Sequence, residues 1–113
     1  MTRDWNAARQ RYLSDPMSVR LGNLASTLTR LASATQRTSQ RLIVVQLLRE
    51  CIYFIEWNGL QAGASLPASL VPLQVELARW SRRLSLQPNL ELGPLARYAS
   101  EQAQQALQMA GYL

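Results

Sequence analysis

The feature that most constrains this fold is an apolar stretch of the sequence, Leu42 to Trp57. Apolar side chains around almost the whole circumference are typical of a helix that is buried on most sides. Ser39 can cap this helix in front, and Asn58-Gly59 suits a helix end behind it. The sequence therefore predicts a central helix over about residues 39–57, around which the rest of the chain packs.

The central helix carries one hydrophilic edge. Its polar residues are Gln46, Arg49, Glu50 and Glu56. They follow one another at offsets of three, four and ten from the first, and Tyr53 falls on the same line at an offset of seven. The sequence leaves open whether this edge is exposed or covered by the last helix.

The size and composition of the chain predict a single all-α domain over residues 1–113. A chain of 113 residues is the size of one domain, which can bury about 65% of the surface of its unfolded chain. Hydrophobic residues make up 48% and charged residues 17%, as in ordinary globular proteins. Strand-like alternation and internal repeats are both lacking. We expect a bundle of about five helices around the central one.

Four further helices are predicted from caps, breakers and periodicity. The second begins at Pro16 with Asp15 as its cap, and the fourth begins near Ser69 so that Pro72 stays in the first turn. On the fourth, Glu76, Arg79 and Arg83 share a face and can form a small ion-pair ladder. The predicted ranges are Thr2 or Asp4 to about Leu13, Pro16 to about Ser33, a fourth helix from near Ser69 whose seam reaches Leu84, and Pro94 to about Ala110, with Gly111 ending the last.

The predicted helices have seams of different character. On the second, a leucine-rich seam opposes a polar face of Arg20, Asn23, Thr27 and Arg30, and a line of small residues through Gly22 is expected to pack closely against the central helix. The fourth helix has a seam of Leu70, Leu73, Leu77, Trp80 and Leu84. The last has a seam of alanines: Ala96, Ala99, Ala103, Ala106 and Ala110. Alanines allow close helix approach, either inside the bundle, which we expect, or across a two-fold axis to a second copy.

The absence of certain residue types argues against an enzyme. The twelve basic residues are all arginine, so the chain has neither the commonest general base and metal ligand, histidine, nor the lysine of Schiff-base chemistry. The lone Cys51 lies on the apolar helix and is expected to be a small buried hydrophobe. We therefore expect a non-enzymatic protein without metal or cofactor.

The sequence also favours a cytoplasmic location. A single cysteine suits a reducing compartment. Met1 to Trp5 lacks the apolar core of a secretory signal. The apolar stretch Leu42 to Ile55 is 14 residues long, whereas a membrane-spanning helix needs about 20 apolar residues.

Two function classes remain. The first is a module that acts through protein contacts, as an accessory protein or a homo-oligomer, with the hydrophilic edge and its end as the binding site. Arginine, tyrosine and tryptophan are enriched at binding hot spots. The candidate residues are Arg49, Glu50, Tyr53, Glu56 and Trp57.

Each of these candidates also has a plainer interpretation. Trp57 is then a core residue and Tyr53 a core ring whose hydroxyl reaches solvent. Arginines of adjacent helices then satisfy the charged group of Glu50.

The second class is nucleic-acid binding, for which the net charge of +5 is the main argument. Three arginines lie close together near Trp80, namely Arg79, Arg82 and Arg83. The other arginines are spread thinly among seven acids, which is more typical of a solvated surface.

Several segments resemble a group of small helical proteins from cyanobacteria to which no activity is assigned. They are Tyr12-Leu13-Ser14-Asp15-Pro16, residues 19–25, Phe54-Ile55-Glu56-Trp57, Leu73-Gln74 with Trp80, and Met109-Ala110-Gly111-Tyr112-Leu113. Where the group has a serine or lysine ahead of the Phe-Ile-Glu-Trp segment, this chain has Cys51-Ile52-Tyr53. The resemblance covers most of the chain and implies a helical fold in an intracellular setting.

Overall fold

The computed structural model describes residues 4–37, 41–60, 70–87 and 89–111. In these residues the chain forms five α-helices and no strand, so the predicted all-α bundle is confirmed. The helices are α1 (Trp5–Ser14), α2 (Met17–Ala34), α3 (Arg41–Leu60), α4 (Leu70–Leu86) and α5 (Gly93–Ala110). The predicted caps Thr2, Ser39 and Ser69 lie outside the described residues.

The junction between α1 and α2 is where predicted, but its capping is different. Asp4 caps α1, because its carboxylate accepts a hydrogen bond from the Ala7 N–H at 3.1 Å. The prediction that Asp15 caps α2 is wrong, since Pro16 precedes α2 in extended backbone and no side chain caps that end. Asp15 instead ends α1, donating its N–H to the Tyr12 carbonyl.

The predicted end of the central helix at Asn58-Gly59 is also wrong, because α3 continues to Leu60. A glycine permits the left-handed conformation of a helix end without requiring it, and inside a helix it costs only about 1 kcal/mol relative to alanine. The prediction that Gly111 ends α5 is confirmed. There Gly111 adopts a φ of 86° and closes the helix.

The core is built around α3, and all five helices contribute residues to it. α3 packs against α1, α2 and α4, and α2 lies between α3 and α5. The predicted seam of α4 is confirmed, because all five of its residues are buried: Leu70, Leu73, Leu77, Trp80 and Leu84. Fully buried leucines of α2 and the aliphatic residues Val44, Leu48 and Ile55 of α3 complete this core.

The most extensive helix contact among the described residues joins α2 and α5, not α2 and α3. On α5 the residues Ala99, Ala103 and Ala106 are buried. Since α2 is the main neighbour of α5, the alanine seam lies inside the bundle, as expected. Small side chains let the two backbones approach closely, which explains why this pair is the most extensive.

The prediction that α3 is buried on most sides, with one hydrophilic edge, is confirmed except in the first turn of the helix. The side chain of Leu42 is 79% exposed, and Ile43 is exposed as well. The hydrophilic edge is exposed because α5 packs on α2 and not on this face of α3.

The predicted polar face of α2 is also partly wrong, because Arg20 and Thr27 are buried. The Thr27 hydroxyl donates to the Asn23 carbonyl at 3.0 Å within its own helix. The guanidinium of Arg20 donates to the chain at the end of α1, to the Leu13 and Asp15 carbonyls. Both buried polar groups are thus satisfied by backbone oxygens.

Candidate functional site

One face of α3 is a continuous line of mostly exposed residues, which we call the α3 seam: Leu42, Gln46, Arg49, Tyr53 and Glu56. The spacing along it alternates between four and three residues. Four of the five side chains are exposed and Tyr53 is half-buried. The hydrophilic edge predicted from the sequence is therefore a surface, extended at its N-terminal end by an exposed leucine.

Glu50 does not belong to this surface. Its side chain is only 13% exposed, and its carboxylate lies 3.7 Å from the guanidinium of Arg30 on α2. Arg30 also donates to the Thr27 hydroxyl at 3.3 Å. Because successive helix positions are rotated by about 100°, Glu50 points away from Arg49 toward α2. The plainer interpretation of Glu50, an arginine partner on an adjacent helix, is confirmed.

Trp57 is likewise part of the core, with a side chain that is 6% exposed. It belongs to an aromatic cluster that joins α1 to α3: Trp5, Tyr12, Tyr53, Phe54 and Trp57. Within the cluster Tyr12 stacks on Phe54 at 4.5 Å between ring centroids, and Trp57 lies 5.7 Å from Tyr12. Sequence reasoning missed this cluster, because no pattern in the sequence shows which end of α3 the short helix α1 packs on.

The aromatic cluster also holds the centre of the α3 seam. The Tyr53 ring meets the Trp5 ring edge-on at 4.6 Å and stacks on Trp57 at 5.8 Å. A ring packed between two tryptophans loses little further freedom when a partner covers its exposed side. Tyr53 is therefore a pre-positioned aromatic residue on an exposed helix face.

The two charged residues of the α3 seam have opposite signs. Arg49 and Glu56 are both exposed, and they are seven residues apart, which is about 10.5 Å along a helix. They stand on either side of Tyr53. The seam thus combines a cation, an aromatic ring and an anion with an exposed leucine at one end.

The arginines of the alternative function lie together on an exposed part of α4. Arg79 donates to Glu76 at 2.8 Å, as the predicted ion-pair ladder requires. The guanidinium carbon of Arg83 lies 4.5 Å from the centre of the Trp80 ring, so Arg83 stacks on tryptophan. Arg82 is exposed beside them. Two of the three cations are therefore engaged within their own helix.

The lone cysteine is placed as predicted. Cys51 is fully buried in the core. Burial strongly raises the pKa of its thiol, the neighbouring Glu50 carboxylate raises it further, and the Arg30 guanidinium partly opposes them. The thiol is therefore protonated at neutral pH and has no access to a dissolved substrate, whereas a nucleophilic cysteine needs an accessible thiolate.

The described residues also bear on metal binding and on membrane insertion. They contain no group of three or more histidine, cysteine, aspartate or glutamate side chains that could hold a metal ion. Among the same residues, no helix is long and apolar enough to cross a membrane.

Neither protein-family models, nor curated proteins, nor solved structures match the chain. The resemblance to the cyanobacterial group stays a prediction.

Proposed function

We propose that this protein is a non-enzymatic, intracellular helical module that acts through protein contacts, and that the α3 seam is its contact surface. The observation that carries the proposal is the exposure of Leu42 on the same face as Arg49, Tyr53 and Glu56. Residues spaced four and three apart on one helix are what a second helix needs for side-chain interdigitation. Arginine and tyrosine are also enriched where binding energy concentrates.

The occupant that best fits the seam is a second copy of this chain. If two α3 helices pack antiparallel about a two-fold axis near Tyr53, Arg49 of each copy faces Glu56 of the other. The interface then contains two opposite-charge pairs, because the contact is the same on both copies. A parallel arrangement would instead place like charges together. Charge complementarity of this kind contributes chiefly to specificity and orientation, while Tyr53, near the two-fold axis, contributes apolar area.

The test is a charge-swap series followed by sedimentation velocity over a range of protein concentrations. The wild-type chain is expected to form a dimer, and Arg49→Glu or Glu56→Arg to weaken it by about tenfold or more, because each change places like charges together twice. The double variant Arg49→Glu with Glu56→Arg restores both pairs and is expected to recover dimer formation.

A matched control separates this surface from general charge effects. Arg82→Glu makes the same charge change on an exposed site of α4, so it is expected to leave the dimer intact. A wild-type chain that stays monomeric at every concentration would rule out the second copy as the occupant. A double variant as weak as the single ones would contradict the antiparallel pairing.

Nucleic-acid binding is the competing outcome, favoured by the three exposed arginines of α4 and the stacking of Arg83 on Trp80. It is tested on the same variants with labelled single-stranded and double-stranded DNA. In that case Arg82→Glu would lose binding while Arg49→Glu would retain it, and affinity would fall steeply with salt. This pattern, with a monomeric wild type, would replace the protein-contact proposal.

A further inference from the structure

A cavity of about 410 Å³ lies at the end of the bundle where α2 and α4 end and α3 and α5 begin. We call it the end cavity. It is lined by Thr35, Arg37, Arg41, Asn89, Leu90, Glu91 and Leu92. None of these residues belongs to the α3 seam, so the chemistry of the end cavity is independent of the proposed function.

Arg41, the first residue of α3, is the central feature of this cavity. Its Nη2 donates to the Leu90 carbonyl at 2.8 Å, which holds the guanidinium against the α4–α5 connection. Its Nη1 is buried and has no hydrogen-bond partner among the residues that the structure describes. A buried, charged donor without an acceptor is costly. The environment of Arg41 is therefore one acceptor short.

The carbonyls at the end of α2 are already occupied. The last four carbonyls of α2, those of residues 31–34, accept hydrogen bonds from Thr35, Gln36 and Arg37. The Leu90 carbonyl is taken by Arg41 itself. Among the charged side chains that line the cavity, Arg37 and Arg41 are cations and Glu91 is an anion.

Two further features make the end cavity attractive to a negative charge. Arg37 lines it with a second, exposed guanidinium. α5, a helix of 18 residues, begins beside it after Leu92, and no side chain caps this end. Helix N-termini favour anions through their free N–H groups and the helix dipole, and at α5, where Pro94 has no N–H, the dipole is the main contribution.

Glu91 is the one acid in the lining, and it does not neutralise the arginines. Its side chain is exposed, and no ion pair joins it to Arg37 or Arg41 in the described part of the chain. The guanidinium groups of Arg37 and Arg41 are therefore available to the carboxylate or phosphate group of a ligand.

We propose that the end cavity binds a small oxyanion, a carboxylate or a phosphate, with Arg41 as its principal ligand and Arg37 as the second. The planar guanidinium fork matches the two oxygens of either group. The volume is that of a small-molecule site. The negative charge of Glu91 repels a bound anion and lowers the affinity of the cavity for it.

The experiment is isothermal titration calorimetry of the full chain with two probes, inorganic phosphate and succinate, in a low-salt buffer without other oxyanions. The wild type is expected to bind with one saturable site per chain. Arg41→Gln is expected to weaken binding by about tenfold to a hundredfold, because it removes charge-assisted hydrogen bonds. Binding of one probe alone identifies the preferred source of the oxyanion, and binding of both shows that the cavity recognises their shared geometry.

Three further variants complete the test. Glu91→Gln removes the opposing charge and is expected to strengthen binding several-fold, and Arg37→Gln, at an exposed position, is expected to weaken it. Arg37→Gln and Glu91→Gln still test the site if Arg41→Gln fails to fold in a thermal melt. Arg9→Gln makes the same charge change on α1 and is expected to have no effect. A wild type that binds neither probe, or an Arg9→Gln loss equal to that of Arg41→Gln, would overturn the proposal.

Discussion

At the scale of single residues, Arg20 has the environment that departs most from expectation for a charged side chain. It is 5% exposed, and its guanidinium donates to the Asp15 carbonyl at 2.8 Å and to the Leu13 carbonyl at 2.7 Å. Carbonyls at a helix C-terminus have no partner inside the helix. Arg20 satisfies two carbonyls at the end of α1 and so links the first two helices.

Replacing Arg20 by methionine is expected to lower the free energy of unfolding by about 2–4 kcal/mol, because the two carbonyls lose charge-assisted hydrogen bonds while the apolar stem is kept. Urea denaturation followed by far-UV circular dichroism measures the change. Arg11→Met, at an exposed site on α1, is the control and should cost less than about 0.5 kcal/mol. Equal losses for the two variants would show that Arg20 contributes no more than a surface charge.

At the scale of the helices, α5 carries a glycine at each end, and the two differ in conformation. Gly111 has a φ of 86°, with no neighbouring atom near an added Cβ. Gly93, the first residue of α5, does not adopt the left-handed conformation. A Cβ added there would contact only the Arg97 guanidinium, at an ordinary distance of 3.8 Å. The same substitution should therefore have opposite effects at the two ends.

We expect Gly111→Ala to destabilise the protein by about 1 kcal/mol, because a side chain strains the left-handed backbone. Gly93→Ala is expected to stabilise it by about 0.4–1 kcal/mol by restricting the unfolded chain. Thermal denaturation of both variants beside the wild type gives the two signs. Destabilisation of similar size at both ends would mean that the left-handed conformation of Gly111 is not what sets its cost.

The helices also show which local signals were sufficient. The seam of α4 and the glycine that ends α5 were predicted correctly, because leucine periodicity and a C-terminal glycine act within one helix. The prediction that Asn58-Gly59 ends α3 was wrong, because the same dipeptide is compatible with a continued helix. Asp15 misled for a related reason: adjacent helices compete for one residue, and here the end of α1 takes it.

At the scale of the whole molecule, the aromatic cluster is what attaches α1 to the bundle. Among the described helices, α1 packs mainly against α3. The cluster contributes two rings of α1, Trp5 and Tyr12, to that contact. Trp57 touches both of these rings. Trp80 is buried to the same extent, 6% exposed, but lies on α4.

Trp57→Leu and Trp80→Leu form a matched pair. Both should destabilise the protein by a few kcal/mol, since each creates a cavity, about 3 kcal/mol being usual for losing most of a buried ring. Only Trp57→Leu is expected to raise amide hydrogen exchange in α1 beyond the rest of the molecule, by about tenfold or more. The reason is that this variant lacks the two ring contacts that oppose local opening of α1. Hydrogen exchange read by mass spectrometry or NMR measures this, and equal exchange of α1 in both variants would contradict the assigned role of the cluster.

The candidate site shows where sequence reasoning stops. The line through Arg49, Tyr53 and Glu56 was visible in the sequence, because residues on one helix face repeat at fixed spacing. The departure of Glu50 and Trp57 from that surface depends on Arg30 and on the rings of α1, which come from distant parts of the chain. The end cavity was not anticipated, since the residues that line it are far apart in the sequence and come together only in the folded bundle.

The sequence by itself determined that this chain is helical, where most of its helices begin and end, and which residues share a face. These properties depend on backbone dihedrals, caps and periodicity within a few turns. The tertiary structure alone decided that α5 packs on α2, and this choice leaves α3 with an exposed face. The reason is that the choice of neighbour depends on how two helix surfaces fit together, and such complementarity cannot be seen in either surface alone.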